Sequence, residues 1–381
     1  MKSLDEVRAE IDEIDRELVP LIVRRLEAVC DVAEVKRATG KPVHDPVREK
    51  VILDDVAKAA GAEFGDEAKT VFETLFDVTK CRQRARLANT VRAGDLSVAV
   101  VGLGLIGGSF QKASLRAGYS VAGLHHGETE GLAAADIVLV CLPPEAIVPW
   151  IRGNANSFKK GAAVVDIAGT KADIVREMGY VPRDGWTFVG GHPMAGKEVT
   201  GFANSTADLF LGKSMVLTPE GGDWSQRNGD RAVLEQFFLS LGFTRVVVTS
   251  PERHDELIAF TSQLGHVIAS AYAQDPLVAE SVGFSAGSYA NMSRIATVDP
   301  ETWASLYLSD RKALLRVLDG FIGRLGDFRA ALEGRDADAL RRFIAAGAAA
   351  KRAELAKANQ PPERRHCREA QISRERKESG K

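Results

Sequence analysis

The stretch from Ser97 to Leu124, SVAVVGLGLIGGSFQKASLRAGYSVAGL, constrains this chain more than any other. An apolar run, a glycine-rich turn, a segment of helical spacing and a second apolar run make a βαβ unit. Such a unit implies a mostly parallel sheet covered by helices on both faces. Within GLGLIG each glycine has its own physical reason. Gly102 permits the tight turn, Gly104 lets backbone approach a pyrophosphate, and Gly107 lets the helix lie close to the strand, with Leu103, Leu105 and Ile106 between them. The helix N-terminus that follows adds partial positive charge, so these residues are expected to bind a dinucleotide. The acid expected at the end of the second strand is missing, because Leu124 is followed by His125 and His126. Two histidines tolerate a 2′-phosphate, whereas Glu128 is near enough to take the acid's place. NAD is the expected cofactor, with NADP left open.

Further apolar runs at Ile137 to Leu142, Ala163 to Ile167, Thr187 to Val189, Ser214 to Thr218 and Arg245 to Thr249 alternate with helical spacing. They extend the sheet into a Rossmann-type α/β domain over residues 97–250. Ahead of it, Leu4, Val7, Ile11, Ile14, Leu18, Leu21 and Ile22 recur at helical spacing, and strand signal is almost absent up to Leu87. The first helix is expected to run to Thr39, with Pro20 as a kink, and to stop at Gly40 and Pro42. Helices over Pro46 to Ala60 and Asp66 to Leu87 complete an all-α module, residues 1–90. Beyond Pro251 the strand signal vanishes again, and Asp255 to Ala273, Leu306 to Leu332 and Asp336 to Ala356 predict an all-α domain over residues 251–357. Residues 358–381 carry almost no apolar side chains and are expected to be a disordered, solvated tail.

Charge and cysteine content exclude several functions. Fifty Lys and Arg against 52 Asp and Glu leave a net charge of −2, which gives no overall field for nucleic acid or an anionic membrane. The four cysteines, Cys30, Cys81, Cys141 and Cys367, lack metal-type spacing, and Cys30 and Cys141 sit in apolar runs as small buried thiols do. No apolar run reaches the roughly 18 residues of a membrane span, and the N-terminus does not resemble a targeting segment. A cytoplasmic location without metal is expected.

The second informative stretch is GGHPMAGKE, Gly190 to Glu198. A histidine held between glycines and a proline, downstream of a nucleotide site, suits hydride chemistry, because a neutral imidazole accepts a proton at neutral pH. Read from residues alone, His254 serves equally as a helix-start residue, Arg294 as a surface ion pair and Trp303 as core. The stretch closely resembles the signature loop of the TyrA family of prephenate dehydrogenases, and the resemblance extends from about Ser97 to Ala356. It implies that His192 promotes deprotonation of the substrate's ring hydroxyl while the nicotinamide is reduced and carbon dioxide leaves. It also implies that Arg294, in NMSRIATVDPETW, binds a carboxylate and that Trp303 lines the pocket. His254, His266 and Gly287 fall near the substrate, Glu198 pairs with the arginine, and His125 and Thr170 face the cofactor. In DIAGTK, Gly169 stands where many members carry a serine.

In the helical module, Arg8, Arg25, Lys36 and Arg48 lie on helices whose opposite faces are apolar, which most simply makes a solvated basic face. Arg24 and Arg25 are adjacent within an apolar run, so one must turn inward, and a buried guanidinium needs an anionic partner. LDEVRAEIDEIDRELVPLIVRRLE, VAEVKRATGKPVHDPVREK and TLFDVTKCRQ resemble the AroQ class of chorismate mutases over the whole module. The resemblance implies that Arg8, Arg25 and Arg48 hold two carboxylates. It further implies that Lys36 and Gln83 hydrogen-bond the breaking ether oxygen, and that Asp45, Glu49 and Thr79 surround the rest of the substrate. In that class the first helix is exchanged between subunits, so a homodimer is implied, with Arg8 serving the partner's site.

Together the two halves imply an enzyme that converts chorismate to prephenate and prephenate to 4-hydroxyphenylpyruvate. The alternative is an arogenate or related dehydrogenase whose helical module only dimerises or regulates.

Overall fold

The computed structural model describes residues 2–39, 43–88, 96–125, 127–197, 199–222, 228–284 and 287–358. Two compact units result, Met1–Arg311 and Lys312–Lys381.

In the first unit, α1 (Leu4–Thr39) continues through Pro20. Its start is a capping box: Ser3 Oγ accepts from Glu6 N at 3.2 Å while Ser3 N donates to the Glu6 carboxylate at 2.7 Å. The long helix α2 (Pro46–Ala88) opens with proline in its first turn, and the Asp45 carboxylate accepts from Arg48 N at 3.0 Å. It is interrupted at Gly61 (φ 77°, ψ 179°), which separates the two helices expected there.

The sheet follows as β1 (Ser97–Val101), α3 (Leu105–Arg116), β2 (Ser120–Leu124), β3 (Ile137–Val140), α4 (Pro144–Asn154), β4 (Ala163–Asp166), α5 (Ala172–Met178), β5 (Thr187–Pro193), β6 (Ser214–Pro219), α6 (Asn228–Ser240) and β7 (Arg245–Val248). Its order is β2-β1-β3-β4-β5-β6-β7, parallel except between β5 and β6. The order reverses direction at β1, so the crevice above the C-terminal ends of β1 and β3 is the place for a ligand. Successive residues of each strand enter opposite cores. Val98, Val100, Ile137, Leu139 and Val165 meet α3 and α6 on one side, and Ala99, Val101, Val138, Val140 and Val164 meet α4 and α5 on the other. Under α3 the rings of Phe110 and Phe210 stack at 4.2 Å, with Phe237, Phe238 and Phe243 beside them, all nearly inaccessible. Each such burial is worth about 1.5–3 kcal/mol, which fixes α3 on the sheet.

One difference from the sequence expectation matters for function. β5 does not end at Val189 but continues to Pro193, with Gly190, Gly191 and His192 paired to Thr218, Leu217 and Val216 of β6. His192 is therefore on a strand, not in a loop.

After β7, Ser250 caps α7 (Pro251–Ile258), which passes through a π-turn at Ala259–Gln263 into α8 (Leu264–Ala273). Then come α9 (Gly287–Ser293) and α10 (Pro300–Ser309), the latter capped by Asp299. The second unit is a helix pair, formed by α11 (Arg311–Glu333) from Lys312 onward and α12 (Ala337–Ala358). Arg335 (φ 52°) makes the turn, and the Phe328 and Phe343 rings meet at 5.2 Å.

Candidate active site

The glycine turn divides into positions fixed by the protein and one position left free. Gly102 has φ 88°, and a Cβ there would lie 2.5 Å from Cys141 O. A Cβ on Gly107 would lie 1.9 Å from Gly102 O, so that glycine is required for packing α3 on the turn. Gly104 is different: it is the N-cap of α3, no side chain caps the helix, and a Cβ would meet nothing within 4 Å. The first turn of α3 also carries no acidic residue. Open space, unsatisfied backbone N–H groups and an uncompensated helix dipole suit the pyrophosphate of a dinucleotide. At the end of β2, the side chain of Glu128 returns to accept from His125 N at 2.8 Å, while the His125 side chain faces solvent.

At the same edge of the sheet His192 heads a buried chain of ionisable groups. Its Nδ1 lies 2.9 Å from His254 Nε2, and His254 Nδ1 lies 2.7 Å from Asp255 Oδ1. The Asp255 carboxylate is held by two backbone donors at the start of α5, Lys171 N at 2.8 Å and Ala172 N at 2.7 Å. A carboxylate only accepts, so a neutral His254 donates through Nδ1 and its Nε2 is a lone pair. His192 then donates through Nδ1, which leaves its own Nε2 unprotonated and available. Burial, followed by the nearby His254 and Lys171, holds the His192 imidazole well below its ordinary range, so it is neutral at neutral pH.

Beneath His192 lies an ion pair that the sequence reading did not single out. Lys171 Nζ pairs with Asp166 Oδ1, both side chains being fully buried, and Ala168 N also donates to Asp166 Oδ1 at 2.9 Å. Burial pushes the Asp166 carboxyl up and the Lys171 amine down, and each partner opposes the other's shift. Lys171 thus anchors both acids, Asp166 through its side chain and Asp255 through its backbone N–H. Both residues of the pair sit within DIAGTK, but a buried Asp–Lys pair looks in sequence like two surface charges.

α10 closes this region and connects the remaining residues. Gly169 faces the His192 ring, where an added Cβ would lie 3.9 Å from Cε1, 4.0 Å from Nε2 and 3.4 Å from Leu306 Cδ1 of α10. Ser309 Oγ donates to the buried Thr170 hydroxyl at 3.4 Å, turning that side chain toward α10. The Trp303 ring lies 3.8 Å, centroid to centroid, from that of His266 on α8, whose Nδ1 is 2.8 Å from Ile295 O. The structure thus brings His192, His254, Gly169 and Thr170 together and places Trp303 with His266. Arg294, in the turn Arg294–Ala296, and Gly287, the first residue of α9, are exposed, and Glu198 lies outside the described residues.

In the helical module Arg24 faces solvent and Arg25 turns inward. Among the described residues no anionic partner meets it. The Arg25 guanidinium lies 5.9 Å and 5.7 Å from the ring centroids of Phe72 and Phe76, and its Nη1 is buried without a partner among the described residues. Burial lowers its pKa. Gln83 Oε1 is also buried and unpartnered, and Thr79 is 4% exposed, its hydroxyl donating to Phe76 O at 3.0 Å. Lys36 Nζ donates to Val43 O at 2.6 Å, and Glu49 pairs with Lys80 at 3.2 Å. Arg8, Asp45 and Arg48 lie on the exposed surface; Arg8 faces Asp5 at 3.8 Å, and Asp45 is engaged as a helix cap.

A doubly wound sheet with a glycine cradle at its switch point and a histidine relay at the same edge defines an α/β dehydrogenase, here preceded by a helical module with its own buried cation. Family models match three consecutive stretches: chorismate mutase type II over residues 7–84, the nucleotide-binding domain of prephenate dehydrogenase over 88–236, and its dimerization domain over 250–346. The chain is 26% identical over 363 residues to the T-protein of Enterobacter agglomerans, covering 90% of this chain and 91% of that one. It is 37% identical over 92 residues to the chorismate mutase of Methanocaldococcus jannaschii, covering 24% of this chain and 93% of that one. The solved structure of prephenate dehydrogenase from A. aeolicus in complex with hydroxyphenyl propionate and NAD+ matches with a TM-score of 0.57 at 23% identity, over 68% of this chain and 98% of that one. The chain belongs to the family of bifunctional chorismate mutase and prephenate dehydrogenase enzymes.

Proposed function

We propose that residues 1–90 rearrange chorismate to prephenate and that residues 97–357, a nucleotide domain to 250 and a substrate domain beyond it, oxidise prephenate to 4-hydroxyphenylpyruvate on the route to tyrosine. NAD+, held at the start of α3, supplies the two-electron oxidant. The balanced change is prephenate plus NAD+ to 4-hydroxyphenylpyruvate, carbon dioxide and NADH. The observation that carries the dehydrogenase is the hydrogen-bonded chain Asp255–His254–His192, which with both imidazoles neutral leaves His192 Nε2 as a proton acceptor. His192 takes the ring hydroxyl proton as electrons leave the ring and returns it to the phenol oxygen after carbon dioxide departs, so no net proton is released. General-base help of this kind is worth roughly 10²–10⁴-fold in rate. His192→Asn is expected to lower kcat by about that factor with little change in prephenate binding. Equal loss of binding and rate would reduce His192 to a shape-filling role.

The mutase half rests on two buried polar atoms of the helical module that have no partner among the described residues, Nη1 of Arg25 and Oε1 of Gln83. The rearrangement needs no base or nucleophile, only a held conformer and donors for the ether oxygen, and an anionic substrate supplies a counter-charge to the Arg25 guanidinium. Arg25→Ala should abolish chorismate turnover and leave prephenate oxidation intact; undiminished turnover would refute the assignment.

Glu128 supports NAD over NADP. Its carboxylate accepts from the N–H of His125, the residue that follows Leu124 at the end of β2, where an acid accepts from a ribose 2′-hydroxyl and repels a 2′-phosphate. Glu128→Gln should therefore raise the use of NADP+, and an unchanged cofactor ratio would count against this role. The reading makes the protein a cytoplasmic homodimer with small-molecule partners only. Among the described residues no helix is long and apolar enough to cross a membrane. Along α1, Leu4, Ile11, Ile14, Leu18 and Leu21 are 46–65% exposed, a stripe that a second copy's module would cover while taking up Arg8.

A further inference from the structure

β5 and β6 are antiparallel neighbours, and such a pair is commonly joined by about two to five residues. Here the connection is residues 194–213, of which 202–208 lie along α3. Four positions of α3 hold it, Gly108, Ser109, Lys112 and Arg116, whose spacing puts them on one side of the helix.

The first contact depends on a missing side chain. A Cβ on Gly108 would lie 2.6 Å from Phe202 Cδ2 and 2.8 Å from Ser205 Oγ, so bare backbone seats that ring. Lys112 Nζ sits 4.7 Å from the centre of the Phe202 ring and donates to Ser205 O at 2.9 Å. Arg116 donates to Ala207 O at 2.8 Å and pairs with Asp208. Ser109 does more than hold. Fully buried, its hydroxyl donates to Leu105 O at 2.7 Å and accepts from Thr206 N at 3.1 Å. Leu105 is the first residue of α3, immediately after Gly104. One hydroxyl thus joins the nucleotide cradle to the segment that leaves the strand of His192.

We propose that residues 199–208 are a strap through which nucleotide binding at the start of α3 orders the segment following His192, making Gly108, Ser109 and Lys112 positioning residues for the dehydrogenase. An anion on the free N–H groups of α3 fixes its first turn, the fixed Leu105 carbonyl fixes the Ser109 hydroxyl, and that hydroxyl holds the Thr206 amide. Linkage makes the effect reciprocal, so an ordered strap tightens the nucleotide in return.

The proposal rests on the dehydrogenase reading but is testable without turnover. Hydrogen exchange on the full-length protein, with and without NAD+ alone, should show slowing of the 199–208 amides by about tenfold in the wild type. Ser109→Ala and Lys112→Met should still bind NAD+ but lose this protection. Their KM for prephenate should rise several-fold, with the mutase rate unchanged. Lys112 is partly exposed, so its variant decides the matter even if the buried Ser109 change costs stability. Equal protection in both variants, or none in a wild type that binds NAD+, overturns the strap. A wild type that protects the strap yet cannot oxidise prephenate overturns the dehydrogenase reading and leaves the strap standing.

Discussion

Asp255, His254 and His192 form a hydrogen-bonded chain whose carboxylate end can only accept, which orients a neutral His254 and through it His192. Asp255→Asn tests this most sharply, because an amide can present a donor to His254 Nδ1 and reverse both tautomers. We expect kcat for prephenate to fall by on the order of 10²–10⁴ while NAD+ affinity is kept; a loss under threefold would show that the orientation is not used. The depressed His192 pKa has a consequence for pH. The folded form resists protonation, so its stabilising contribution is full above the ordinary imidazole value and is lost as pH falls toward the lowered one. His192 and His254 were legible because each stands in a short, distinctive motif. Asp166 and Lys171 were not, because sequence gives no hint that two charged residues flanking AGT are inaccessible and paired.

Strand and helix boundaries were mostly readable, and where they were not, tertiary pairing explains why. β5 looks as though it stops at Val189 because glycines follow, yet β6 supplies partners through Pro193 and carries His192 into the site. The single helix expected over Asp255 to Ala273 is instead α7 and α8 joined by a π-turn, whose Gln263 donates to Asp310 at 3.0 Å. That contact gives a pH prediction. Burial first, then Asp255 and Asp173, push the Asp310 carboxyl up to about 7. A raised carboxylate stabilises fully below its unfolded value, and that stability is lost as pH rises through about 7. Relative to wild type, Asp310→Asn should therefore gain stability in urea between pH 5 and pH 8; a constant difference would contradict this. For α3, Gly107→Ala places a methyl group against Gly102 O and should abolish nucleotide binding while chorismate turnover continues. NAD+ titration of that variant with unchanged affinity would show that the cradle is not the site.

For the whole molecule, three matched family stretches in one chain mean that the product of one module is the substrate of the next. Composition gave the chain as a whole no overall field for nucleic acid or an anionic membrane, and the motifs divided it into modules. The buried Nη1 of Arg25, without a partner among the described residues, by contrast required the fold, since sequence alone predicted an anion beside it. The uncovered stripe on α1 predicts a dimer that persists on dilution to nanomolar concentration in sedimentation, and a monomer at micromolar concentration would contradict it. The most direct test of the central claim is a single time course with chorismate and NAD+, following chorismate, prephenate and NADH together in wild type, Arg25→Ala and His192→Asn. Wild type should form prephenate and then NADH with 4-hydroxyphenylpyruvate. His192→Asn should stop at prephenate, and Arg25→Ala should leave chorismate untouched yet oxidise added prephenate. NADH formation at the wild-type rate in His192→Asn, or chorismate loss at the wild-type rate in Arg25→Ala, would contradict it.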